Sequence, residues 1–163
     1  VDSRFNNIDS IKKLWWLHDS YWHATVVKEF GMEKANELNL AAAEKFFRKY
    51  TLLLLKTGEI KKPQSIEDLV DIFRVVWATC FPDGMYLDAP ITIEGNTATW
   101  MGTECHAYDS LRSAKMDTGY ACGCQAIRNG VMKALRLKVD HSIEESLING
   151  DGRCVIKFSF QPK

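Results

Sequence analysis

Apolar side chains return every three or four positions through the first half of the chain and every second position through much of the second half, which predicts helices followed by strands. From Asn7 to Phe30 they fall at Ile8, Ile11, Leu14, Trp15, Trp22 and Val26, with Thr25 on the same stripe. Asp9 or Ser10 is placed to cap the start and Gly31 to end the helix. His18 lies on this stripe and is expected either as a satisfied core histidine or, with Trp22, as part of a pocket wall; His23 lies off it. A second helix runs from Glu33 to about Lys56 through Ala35, Leu38, Ala42, Phe46, Tyr50 and Leu53, and carries Asn39 on that face as a buried hydrogen-bonding residue or a ligand contact. Gly58 stops it. Ser65 followed by Asp68 gives a capping-box-like start to a third helix, built on Ile66, Leu69, Val70, Phe73, Val76 and Trp77. Cys80 closes that helix ahead of a Phe81-Pro82-Asp83-Gly84 turn and reads as a small buried apolar residue.

The period then changes to two. Ile91 and Ile93 alternate with Thr92 and Glu94, Gly95-Asn96 offers a two-residue turn, and Ala98 and Trp100 continue the alternation beyond it. This hairpin delivers Cys105 and His106 at its far end. Helical spacing returns at Ile127, Val131, Ala134 and Leu135, within Gln125 to Leu135. A second hairpin follows, with Val139, His141 and Ile143 on one face, a turn at Asn149-Gly150-Asp151-Gly152, and Cys154, Ile156, Phe158 and Phe160 on one face of the last strand. Two hairpins complete an antiparallel sheet of about four strands with helices on one face, an α+β fold in one domain over 1–163, helical over about 7–80 and strand-rich over about 85–160.

Composition narrows the function classes. Lys and Arg number 21, as do Asp and Glu, so no basic excess points to a phosphate backbone, and nucleic acid is not an expected partner. No apolar run approaches the ~20 residues of a membrane span, and no signal-peptide pattern opens the sequence. Five cysteines in no evident pairing suit a reducing compartment, so the expected location is the cytoplasm, with a small-molecule ligand and a second copy of the chain as expected partners.

The cysteines carry the chemistry. Cys105, Cys122 and Cys124 fall within a short stretch, and Cys154 faces the core side of the last strand. Cys122 and Cys124 precede or open a helix, where unpaired N–H groups and the macrodipole favour an anion and hence a thiolate. Inside a helix the two would point apart, about 200° around the axis. With Cys122 in an extended lead-in and Gly123 making the bend, both converge. One reading is a metal centre of Cys105, Cys122, Cys124 and Cys154, with His106 as a substitute ligand and zinc or another thiophilic ion as cofactor. Another is nucleophilic catalysis by Cys105, Cys122 or Cys124, with His106 or His18 moving the proton. A third is plain burial. Arg112, Lys115 and Arg128 lie near enough in sequence to hold a substrate carboxylate, Arg112 foremost, while Glu104 and Asp117 are further ligand or base candidates. No nucleotide-binding motif is present.

The segments GYACGCQAIRNGVMKAL and SLINGDGRCVIKFSF, after an N-terminal HDSYWHATVVKEFGMEKANELN, resemble the L-2-amino-thiazoline-4-carboxylic acid hydrolase-like family, itself similar in its C-terminal half to the 4-vinyl-reductase small-molecule-binding domain. The resemblance implies an α+β ligand-binding fold with its pocket between sheet and helices, and hydrolytic opening of a cyclic, amidine-like C–N substrate. For the related sensory modules it implies instead a non-catalytic small-molecule site and a zinc ion held by a glutamate and cysteines, the last in a Gly-Asp-x-x-Cys turn. Gly150, Asp151 and Cys154 match that turn, but Ser146 stands in place of the preceding cysteine and Ile143 in place of the glutamate, so the zinc site of those modules is not copied intact.

Overall fold

Gly31 divides the first helical rod without ending it. In the computed structural model, which describes residues 8–82 and 90–160, α1 runs from Ile8–Thr57, and at Gly31 its backbone leaves the helical region with φ 82° and ψ 163°. That is a conformation glycine reaches without a Cβ penalty. The two helices read from the sequence are therefore segments meeting at this residue.

The stripe named above for the first segment is not its buried face. Ile8, Leu14 and Trp15 are 69, 65 and 57% exposed, and Ile11 and Trp22 are exposed with them. His18 is exposed as well and stacks on Trp15 at 6.0 Å between ring centroids, which corrects its reading as a core histidine. The buried histidine is His23. The face that packs is rotated round the helix and holds Trp16, His23 and Val26. The reason lies at the far end of α2 (Ile66–Cys80). Trp16 Nε1 donates to the Cys80 carbonyl at 2.9 Å, its ring stacks on Phe81 at 4.8 Å, and Lys12 Nζ donates to the Ala78 carbonyl at 2.6 Å. Capping of helix-end carbonyls and one large aromatic contact set the rotation here, and hydropathy alone cannot register either.

α2 follows its pattern more closely. Ser65 Oγ accepts the Asp68 N–H at 3.2 Å and Asp68 Oδ2 accepts the Gln64 N–H at 2.7 Å, a reciprocal cap. Ile66, Leu69, Val70, Ile72, Phe73 and Val76 are buried. The Asp83-Gly84 half of the following turn lies outside the described residues.

The remaining elements are β1 (Ile91–Glu94), β2 (Thr97–Gly102), α3 (His106–Ser113), α4 (Cys124–Leu135), β3 (Val139–Glu145), a 3-10 turn at Leu147–Asn149 and β4 (Cys154–Phe160). Together they make an α+β fold whose four strands run antiparallel in the order β1-β2-β4-β3. The two hairpins expected from the sequence join through β2 and β4, with Trp100 opposite Ile156 and Gly102 opposite Cys154. α3 was not foreseen. Ala98, Ile156, Phe158 and Phe160 pack with Ile127, Val131 and Leu135 of α4 and with α2. α4 in turn lies hard against the second half of α1. A Cβ at Gly130 would sit 2.5 Å from the Glu44 carbonyl oxygen and 2.9 Å from the Arg48 nitrogen, so only glycine permits that approach.

Candidate functional site

Four elements meet where α4 begins, and each brings a cysteine. Cys105 is the N-cap of α3 and is buried. Cys122 lies two residues before α4, Cys124 is its first residue, and Cys154 opens β4. All four line one cavity of about 20 Å³, scarcely more than a water molecule occupies, together with Trp100, Tyr108, Ile143, Ser146, Leu147, Ile148 and Ile156. Cysteines separated along the chain thus line one cavity.

Local chemistry explains each placement. Asp151 Oδ2 accepts the Ser146 N–H at 2.7 Å and its own N–H returns to the Ser146 carbonyl at 3.2 Å, closing the turn before β4. Cys154 Sγ then accepts the Leu147 N–H at 3.4 Å. On the opposite side Trp100 folds its ring over Gly102, where an added Cβ would meet the ring at 2.5 Å. The loop entering α4 is pinned to α1 by Asn36, whose Nδ2 donates to the Gly119 carbonyl at 2.7 Å and whose Oδ1 accepts the Ala121 N–H at 3.0 Å. These two bonds bracket Tyr120. Its ring meets His23 edge-on at 5.7 Å, and its hydroxyl oxygen accepts the Gly123 N–H. Burial and the neighbouring thiols push the Tyr120 hydroxyl well above the ordinary tyrosine range, so it remains a neutral phenol.

The convergence of Cys122 and Cys124 does not depend on glycine as expected. Gly123 has φ −68° and ψ −18°, an ordinary right-handed conformation, and nothing stands within 4 Å of where its Cβ would be. The two thiols instead act on each other as donor and acceptor. The Cys124 thiol donates to Cys122, and the Cys124 backbone N–H donates to the same sulfur, using one of the orphan donors of the helix start. The thiol donor has the largest effect and, with the backbone donor and Arg128, outweighs burial to bring Cys122 down to about 6 from an ordinary value of 9.0. Cys124 shifts the other way, well above that value, because the bond to Cys122 and burial both hold its proton. The pair is a thiolate with a thiol bonded to it.

Arg128, one turn into α4, is 4% exposed. Its Nε donates to His141 Nδ1 at 3.4 Å, and with that nitrogen accepting, His141 Nε2 carries the proton and donates to Asn129 Oδ1 at 2.8 Å. Burial lowers the pKa of His141 and the Arg128 charge lowers it further, so the ring is neutral. Nη2 of Arg128 is buried and has no hydrogen-bond partner among the described residues.

The other expected site residues are elsewhere. His18 and Trp22 are exposed on α1, Asn39 is half-buried on the same helix, and none of them lines the cavity. Arg112 is exposed on α3, 5.7 Å over the Tyr108 ring, and so flanks a cavity residue without entering. The side chain of His106 lies outside the described residues. Cys80 is at the other end of the core, and no disulfide links any of the five cysteines. The metal reading finds no geometric support: among the described residues no three His, Cys, Asp or Glu side chains are grouped to hold an ion. Tyr120, Asn36, His141 and Trp100 were missed as site residues. The Asn-x-x-Asn pair of α1 offered Asn36 as readily as Asn39, but helical phase alone cannot say which reaches a distant loop.

No family model and no curated protein matches the chain. Among solved structures it is similar to a trafficking protein particle complex subunit 3 from Naegleria fowleri, covalently bound to palmitic acid, with a TM-score of 0.56 and 11% identity over 92% of this chain and 95% of that one. The two share a fold. No helix among the described residues is long and apolar enough to cross a membrane.

Proposed function

We propose that the chain is a small-molecule hydrolase that opens a cyclic, amidine-like C–N substrate with Cys122 as nucleophile. The observation that carries this reading is the convergence of Cys122 and Cys124 on one cavity wall, where the Cys124 donors and the nearby buried Arg128 favour the Cys122 thiolate; the cavity, little larger than a water molecule, has to widen to admit a ring. A thiolate is the competent form of a cysteine nucleophile, and its formation near neutral pH removes the need for a separate base. Addition of the Cys122 sulfur to the amidine carbon makes a C–S bond, and the ring bond at that carbon then breaks. The departing ring atom takes the proton of Cys124, which its raised pKa keeps available as an acid. Water adding to the same carbon then expels Cys122 as thiolate and restores the proton to Cys124.

The substrate class rests on the resemblance of GYACGCQAIRNGVMKAL and SLINGDGRCVIKFSF to the aminothiazoline carboxylate hydrolase-like family. Its test is turnover of 2-aminothiazoline-4-carboxylate by the purified chain and by the Cys122→Ser variant, with metal content measured on both. Ring opening lost in the variant supports the reading; a folded wild-type protein without turnover sinks it.

A second reading, a binding module, is favoured by the apolar side of the cavity, formed by Trp100, Ile143, Leu147, Ile148 and Ile156. The Naegleria subunit, of the same fold, carries a covalent fatty acid. Under this reading Cys122 is the acylated residue, and the intact mass of the purified chain would show an acyl adduct that hydroxylamine removes.

A further inference from the structure

We propose that Arg128 is the specificity determinant of the thiol pocket, selecting ligands that carry a carboxylate or a comparably small anion beside the carbon that reaches Cys122; the proposal deepens the hydrolase reading and rests on it for the role of Cys122. A buried guanidinium is held at a cost in hydration and is retained where charge and hydrogen bonds offset that cost. At Arg128 the compensation is incomplete. Nε is occupied by His141, whereas Nη2 is buried with no partner among the described residues. The groups that act on its charge are Cys124, Cys122 and Cys154, three of the residues that line the cavity, and of the Cys122–Cys124 pair Cys122 is the thiolate. None of these sulfurs accepts a bond from Nη2, so the guanidinium, which does not itself line the cavity, keeps one buried arm unused next to the cysteines that do. Among the described residues no carboxylate lies within ion-pair distance of it. Carboxylates match guanidinium geometry and form charge-assisted bonds stronger than neutral ones.

The aim of the group is also fixed. Asn129 accepts the Nε2 proton of His141, which leaves Nδ1 free to accept from Arg128 Nε. His141 and Asn129 are positioning residues under this assignment: they set the rotamer of Arg128 and touch no ligand. The alternative, that Arg128 is no more than counter-ion to the Cys122 thiolate, predicts no preference between charged and neutral reagents.

Two alkylating probes separate these cases, since iodoacetate and iodoacetamide require the same thiolate and differ in charge. Their rate ratio at Cys122, read by tandem mass spectrometry, cancels any change in thiolate fraction. In the folded wild-type chain the iodoacetate to iodoacetamide ratio should exceed that of the same chain unfolded in urea by about tenfold, the worth of one charge-assisted hydrogen bond. Arg128→Met should return the ratio to the unfolded value while iodoacetamide still reacts, and Arg128→Lys should keep an intermediate preference. Equal ratios in folded and unfolded wild-type protein would overturn the proposal with no variant needed, as would an unchanged preference in a folded Arg128→Met chain. Failure of the hydrolase reading is recognised separately, as absent turnover with the anion preference intact.

Discussion

Cys80 and Cys122 are the same residue in opposite settings. Cys80 is the last residue of α2, at the end where helix carbonyls accumulate negative charge, and burial pushes its thiol up to about 11, opposed by Lys12. Cys122 is also largely withdrawn from water, yet the Cys124 thiol and backbone N–H and the Arg128 charge bring it down to about 6. Burial has the same sign at both sites. What differs is the supply of donors: the Cys124 thiol first, then a backbone N–H of the helix start and the Arg128 charge at Cys122, and at Cys80, among the described residues, only Lys12. The donors beside the sulfur, more than exposure, separate a reactive cysteine from an inert one in this chain.

The linkage to stability runs in opposite directions. At Cys122 the folded pKa lies below the ordinary 9.0, so its thiolate contributes stability that is complete above about pH 9 and is lost as the pH falls toward 6. At Cys80 the folded pKa is the higher, so its contribution is complete below about pH 9 and is lost as the pH rises toward 11.

The largest way to break the comparison is chemical. Cys122→Ala should reduce the proposed turnover by ~10³-fold or more, whereas Cys80→Ala should leave it within about twofold, measured as kcat/KM on the aminothiazoline substrate. Next in size is a structural lever. Gly130→Ala forces a methyl against the α1 backbone at Glu44 and Arg48 and should destabilise the chain by about 1–3 kcal/mol in urea melts. Because α4 then shifts on α1, the Cys122 titration should move up while that of Cys80 stays. Asn36→Ala removes both bonds that bracket Tyr120 and should cost about 1–2 kcal/mol, with faster hydrogen exchange confined to the loop entering α4. Smallest is Trp16→Phe, which deletes the donor to the Cys80 carbonyl. A loss of ~1 kcal/mol without any change in Cys122 alkylation would sharpen the contrast by showing that the two ends of the core are independent.

Periodicity revealed the helices and hairpins because each buries a regular face, and by placing Cys105 and Cys154 at strand ends and Cys122 and Cys124 at a helix start it offered a common site as one reading beside plain burial. It misled where a helix is exposed on its apolar side. The stripe of Ile8, Leu14 and Trp15 faces solvent because Trp16 and Lys12 are committed to the carbonyls at the end of α2, a contact made across the chain. His18 and Trp22 were drawn into the expected pocket by the same error of phase. Arg128 was legible only as one of several cations, since nothing in its neighbours signals that it would be buried. Gly123 was credited with a bend, yet its backbone is right-handed and has room for a Cβ, so the turn does not depend on glycine.

The central claim is that Cys122 is a thiolate at neutral pH because the Cys124 thiol, aided by the Cys124 backbone N–H at the start of α4 and by Arg128, favours its charged form. It is tested most directly by the pH dependence of iodoacetamide alkylation at Cys122 and Cys80 in one sample, resolved by mass spectrometry. Midpoints near 6 and near 11 are predicted, with Cys124→Ala raising the first and leaving the second in place. A shared midpoint in the ordinary thiol range would contradict the account.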